Sequence, residues 1–124
     1  MNTKILTTAK EVIETEAQAL KKLAENLPKD FPRVIELVSK LTGHLIISGV
    51  GKSGHIGRKI SATLASTGTP SHFVHATEAS HGDLGSLTSD DACLLISNSG
   101  ETAELNNLIK YTRRFSIPLI AISS

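Results

Sequence analysis

The sequence predicts an α/β domain built around a parallel sheet. Three observations carry that reading. Short, continuously apolar runs recur through the second half of the chain, helix-like stretches alternate with them, and glycine- or serine-rich loops fall where a run gives way to a helix. Strands covered by helices on both faces lose the in–out alternation of half-solvated strands, so unbroken apolar runs separated by helices point to a parallel sheet.

The first 27 residues have helical periodicity: Ile5, Ala9, Val12, Ile13, Ala17, Leu20, Leu23 and Leu27 recur at steps of about three or four, with Lys and Glu between them. Pro28 ends that helix. Asp30, Phe31 and Pro32 open a second, with Val34, Ile35, Val38 and Leu41 inward and Gly43 as its stop. HLIISG (residues 44–49) is then a strand and residues 49–54 a loop. Residues 56–66 form a helix closed by Gly68 and Pro70, and SHFVH (71–75) is a second strand. Residues 76–91 are polar and irregular; ACLLIS (92–97) is a third strand, followed by a helix over 101–115 with Leu105, Leu108 and Ile109 on one face. PLIAIS (118–123) is a fourth strand.

Residues 1–42 are therefore expected to form a helical segment that packs on the sheet or at a subunit interface. Residues 43–124 form the α/β domain, a doubly wound parallel sheet of flavodoxin-like order 2-1-3-4 in an α-β-α sandwich. A fourth parallel strand with no helix after it leaves part of a sheet face uncovered, so the chain is either a fragment or covered there by a partner.

Composition narrows the function. A chain of 124 residues, 40% of them hydrophobic, suffices for one domain with a real core. Thirteen basic against 12 acidic residues leave a net charge of +1, so no broad field favours nucleic acid or an anionic membrane surface. Phe31, Phe73, Phe115 and Tyr111 are too few and scattered for base stacking. The single cysteine, Cys93, lies within an apolar run and reads as a small core residue, not part of a disulfide framework or zinc site. With no signal peptide before the first helix and no apolar run near the ~20 residues needed to span a bilayer, the expected compartment is the cytoplasm.

Two loops carry the chemistry. GVGKSG (49–54) imitates two phosphate motifs. The Walker pattern requires glycine at position 46, which is Ile46, so that reading fails. Gly49, Gly51 and Gly54 fit G-x-G-x-x-G, but the second strand ends in Val74 and His75 without the acid that would bind a ribose hydroxyl, which leaves dinucleotide binding a minor alternative. The glycines make a tight strand-to-helix turn in any case. Lys52 and Ser53 then stand beside unpaired amides at the positive end of a helix dipole, where an anion or a reacting oxygen would account for the lysine; a solvated surface lysine is the alternative.

SNSGET (97–102) is the second loop. Ser97, Ser99 and Thr102 offer three hydroxyls, Asn98 an amide, and Gly100 lets consecutive backbone N–H groups turn inward, a cup suited to a phosphate dianion without a metal. A simple N-cap needs only one such residue. In the order 2-1-3-4 the first and third strands are neighbours with helices leaving on opposite faces, so the two loops flank the crevice where such sheets bind ligands. Together they point to a small phosphorylated ligand.

ISNSGET resembles the phosphosugar signature of the SIS (sugar isomerase) domain, and the run GVGKSGHIGRKISATLASTGTPSHFVHATEASHGDLG is similar to the arabinose-5-phosphate isomerase family of the KpsF/GutQ type. The likeness runs from about Leu45 to the end, and the pairing of GKSGHIGRK with ASHGDLG is its narrowest part. The resemblance implies interconversion of D-ribulose 5-phosphate and D-arabinose 5-phosphate on the way to the Kdo sugar of lipopolysaccharide, without cofactor or metal. It implies a homo-oligomer, a dimer or tetramer. By the same likeness Ser48, Gly51, Ser53, Ser97, Asn98, Ser99, Gly100 and Thr102 hold the phosphate. Lys52 lies near the carbonyl and enediolate oxygens, Glu104 is the candidate base, and His81 binds hydroxyls or assists proton transfer. Glu104 read by itself is equally a favourable acid in a first helical turn, and His81 an ordinary loop residue.

The sequence departs from the family in one respect. Longer members continue through a fifth strand and a last helix that bring a further glutamate and histidine, and usually carry two CBS modules. The expectation is thus an isomerase whose activity in this short chain is open, with a non-catalytic sugar-phosphate module as the alternative.

Overall fold

The computed structural model describes residues 1–76, 83–98 and 103–124. The chain divides into two compact units, Met1–Arg33 and Val34–Ser124. In the first lies α1 (Asn2–Glu25), none of whose residues is buried. Its apolar stripe, including Ile5, Val12, Ile13, Leu20 and Leu23, is exposed.

The chain then runs through α2 (Phe31–Ser39), β1 (Leu45–Gly49), α3 (Lys52–Ser66), β2 (Ser71–Phe73), β3 (Ala92–Ile96), α4 (Asn106–Arg114) and β4 (Leu119–Ile122). Short 3₁₀ turns lie at Asp83–Ser86 and Ala103–Leu105. The four strands form one sheet in the order β2-β1-β3-β4 with every pairing parallel, as the alternation of apolar runs and helices predicts.

Alternation along the strands divides the core. Ile46, Cys93 and Leu95 face one side, packed with Leu105 and Leu108 at and beyond the start of α4. Leu45, Ile47, Ala92 and Leu94 face the other, packed with Leu37, Val38 and Leu41 in and after α2 and with Ile60 and Leu64 of α3. Successive residues of a strand point to opposite faces, so strands sandwiched between helices must be apolar throughout. Cys93 is fully buried, and burial pushes its thiol up to about 12, which suppresses the reactive thiolate.

Several boundaries differ from the sequence reading. Helix α3 starts at Lys52, four residues before the expected 56, because the chain reverses sharply at Gly51 (φ 61°) and is helical immediately afterwards. β2 stops at Phe73, two residues short of His75. Of the predicted inward set around α2, Val38 and Leu41 pack on the core, but Ile35 is 53% exposed and Leu37, not in that set, packs there too. α4 begins at Asn106, after a 3₁₀ turn. Leu119 and Ile122, on opposite faces of β4, are both exposed at this edge of the described sheet.

A polar clamp closes the amino end of the sheet. Asp91, 5% exposed, accepts hydrogen bonds from the backbone N–H of His44 (2.7 Å) and of Thr88 (2.8 Å), and one from the Thr88 hydroxyl (3.3 Å). The N–H of Gly43 donates to the Asp90 carbonyl at 2.9 Å. Burial alone would raise the Asp91 pKa, but these donors more than offset it and hold the carboxyl below its ordinary value of 3.8.

Candidate functional site

Register pairs Ser48 with Leu95 and Gly49 with Ile96, so the loops after β1 and β3 leave from adjacent positions at the carboxyl edge of the sheet. α3 packs on one face and α4 on the other. This is the switch point of an open α/β sheet, where the divergence of two crossover helices leaves a crevice.

The glycines of the first loop make its geometry. A Cβ at Gly49 would stand 3.0 Å from the Ile96 carbonyl oxygen and 3.1 Å from the Gly54 nitrogen, and one at Gly54 would stand 3.1 Å from the Gly49 carbonyl oxygen. Strand end and helix start therefore touch backbone to backbone, an approach that larger residues would block. Gly51 supplies the positive φ of the turn and caps α3, and no described side chain caps the helix in its place. The first helical bond runs from the His55 N–H to the Gly51 carbonyl at 3.2 Å, so the amides of Lys52, Ser53 and Gly54 have no intrahelical acceptor. Lys52 is exposed on that first turn and Ser53 is half-buried. A 15-residue helix thus presents uncapped amides and a lysine at one end of the crevice.

Ser48 adds a second, independent feature. It is fully buried, and its hydroxyl has no hydrogen-bond partner among the described residues. Its place in β1, two residues after Ile46, puts it on the α4 side of the sheet. A buried hydroxyl left unbonded costs about 1–3 kcal/mol, and such an exception calls for a role. Ser48→Ala should therefore raise the melting temperature by a few degrees, on the order of 1 kcal/mol, because it removes an unsatisfied group with little loss of packing. Thermal unfolding of the two proteins is the check, and a fall of several degrees would mean that the hydroxyl is bonded in solution.

The second loop begins from a fixed base. The N–H of Ser97 donates to the Ile122 carbonyl at 3.0 Å, and the Asn98 carbonyl accepts from the N–H of Ser124 at 3.3 Å and from its hydroxyl. β4 thereby continues its pairing past the end of β3 and holds the loop's first two residues. Ser97 is buried and Asn98 exposed.

Of the residues expected at the site, Ser48, Gly51, Lys52, Ser53, Ser97 and Asn98 lie at this edge. The backbone of Glu104 lies in the Ala103–Leu105 turn that leads into α4. His81, Ser99, Gly100 and Thr102 lie outside the described residues, as does the side chain of Glu104. Among the described residues no cluster of three or more His, Cys, Asp or Glu could hold a metal. No described helix is long and apolar enough to cross a membrane.

Residues 40–124 match the family described as the SIS domain. Over 121 residues the chain is 47% identical to the arabinose 5-phosphate isomerase KpsF of Escherichia coli O6:H1, covering 97% of this chain and 37% of that protein. Over 122 residues it is 46% identical to the arabinose 5-phosphate isomerase KdsD of Pseudomonas aeruginosa, covering 98% of this chain and 37% of that one. The chain thus spans little more than a third of the length of these curated relatives. Among solved structures, an E. coli CFT073 protein in complex with arabinose 5-phosphate superimposes with a TM-score of 0.92 at 41% identity, over 99% of this chain and 65% of that chain.

Proposed function

The chain belongs to the SIS domain family, and from that premise we propose that it is the sugar-phosphate-binding part of an aldose–ketose isomerase interconverting D-ribulose 5-phosphate and D-arabinose 5-phosphate. The observation that carries the reading is that the orphaned Ser48 hydroxyl and the uncapped amino end of α3 both lie at the carboxyl edge of the sheet, where β1 ends and α3 begins. A buried hydroxyl without a partner and unpaired helix amides together suit a phosphate dianion. Similarity to isomerases so named supports a pentose phosphate as the ligand and a role in supply of the Kdo sugar.

In this reading Ser48, Gly51, Ser53, Ser97, Asn98, Ser99, Gly100 and Thr102 hold the phosphate at one end of an open-chain sugar. The isomerisation moves a proton between two adjacent carbons through a cis-enediol(ate). Glu104, just past the phosphate cup, is the candidate base, and His81 binds substrate hydroxyls or relays a proton. Lys52 offsets the negative charge that develops on the enediolate oxygens. The exposed apolar stripe of α1 supports assembly of copies of the chain, which sedimentation equilibrium would register.

Incubation with D-ribulose 5-phosphate should yield D-arabinose 5-phosphate. Calorimetry with the same sugar should show binding that Ser48→Ala weakens by about tenfold, the value of one lost hydrogen bond to a charged group. Binding without turnover would make the chain a sugar-phosphate module, and no binding by the folded protein would remove the reading altogether.

A further inference from the structure

Phe73, the last residue of β2, lies outside the residues assigned to the phosphate or the reacting carbons. Its ring fills a notch in α3 made by two glycines one turn apart. A Cβ at Gly57 would stand 3.1 Å from Phe73 Cε2 and 3.1 Å from Ile47 Cγ2, and one at Gly54 would stand 3.5 Å from Phe73 Cζ. The guanidinium carbon of Arg58 lies 4.4 Å from the ring centroid, close enough for a cation–π contact. Gly54 in turn rests against the backbone of Gly49. The contacts thus form a chain: the Phe73 ring bears on Gly54 and Gly57, which seat the first turn of α3 on the end of β1. That turn begins with Lys52 and Ser53 and carries the uncapped amides.

We propose that Phe73 is a positioning residue that sets the placement of the Gly51–Lys52–Ser53 turn and, through it, the affinity and geometry of the phosphate site. The ligand half of this proposal rests on the sugar-phosphate reading; the positioning half does not. A leucine at 73 lacks the flat ring that matches the glycine notch, so the first turn loses its support while the apolar contact of β2 with the core is largely kept. Gly57→Ala makes the same displacement from the helix side by forcing α3 away from the ring and from Ile47.

Amide hydrogen exchange and calorimetry test both halves on the unaltered chain, Phe73→Leu and Gly57→Ala, at a temperature where all three are folded. The reporters are His55 and Ile56, whose amides close the first turn of α3, against Cys93, whose amide bonds the Pro118 carbonyl at 2.9 Å at the other end of the sheet. Both variants should exchange about tenfold faster at the α3 reporters with Cys93 unchanged, and should bind D-ribulose 5-phosphate about tenfold more weakly. Equal acceleration at Cys93, or unchanged exchange at the α3 reporters, would overturn the positioning role and leave Phe73 as core packing alone. If exchange behaves as expected while the unaltered chain binds no pentose phosphate, the turn's support stands and the sugar-phosphate reading falls.

Discussion

Under the proposed isomerase function, Lys52→Ala is expected to lower conversion of D-ribulose 5-phosphate by about 10²- to 10⁴-fold, the range typical of removing a positioned acid–base or charge-stabilising group. The melting temperature should stay the same or rise slightly. Lys52 is exposed on the first residue of α3, so alanine removes little packing, and it removes a cation from the positive end of a helix dipole. Steady-state kinetics should place the loss in kcat, because the proposed enediolate charge is absent from the bound sugar and develops only on the way through the transition state. Lys52→Arg keeps the charge without the compact ammonium and should recover part of the rate. A loss below tenfold would assign the oxygen charge to another group.

The second large effect is on stability and lies at the opposite edge of the sheet. Asp91→Ala leaves the N–H groups of His44 and Thr88 without their acceptor and should cost about 3 kcal/mol, a fall of about 10 °C in melting temperature. Asp91→Asn keeps one acceptor oxygen and should lose less. Gly43→Ala should approach the alanine variant, because a Cβ there would run into the Asp91 carboxylate and stand 2.6 Å from the Asp90 carbonyl oxygen. The pH dependence follows from the direction of the Asp91 shift. Its folded pKa lies below the ordinary 3.8, so its stabilisation is complete above that value and disappears as pH falls through the folded pKa. Urea unfolding between pH 7 and pH 2 should show an acid limb that is shallower in Asp91→Asn; an identical limb would place the acid sensitivity in other carboxylates.

The elements recovered from sequence are those whose signals are local. LIISG and ACLLI are almost wholly apolar because helices cover both faces of the sheet there, LIAI is an equally continuous apolar run, and glycine, proline and polar clusters mark where the runs stop. The loops are legible for the same reason: their glycines and hydroxyls are contiguous in the chain. The true start of α3 escapes a reading by pattern because a helix beginning K-S-G-H has no apolar periodicity in its first turn, and its onset depends on the φ of one glycine. Ile35 is inward by pattern yet exposed, and Leu37 packs on the core unannounced, because a nine-residue helix offers too few turns to fix which edge of its apolar stripe faces the sheet.

By itself, then, the sequence determined the class of fold, the strand order and the two loops that leave the carboxyl edge, since periodicity, turn chemistry and chain order are properties of neighbouring residues. Only the tertiary structure decided which polar groups are satisfied and which are not. Asp91 is one more loop acid along the chain, yet its carboxylate meets an amide 47 residues away. Phe73 is a strand residue like its neighbours, yet its ring meets two glycines of α3. Ser48 is one more serine along the chain, yet folding buries its hydroxyl and provides no partner for it among the described residues. Hydrogen-bond satisfaction and close packing are relations between distant parts of the chain, and no pattern along the chain encodes them until the chain has folded.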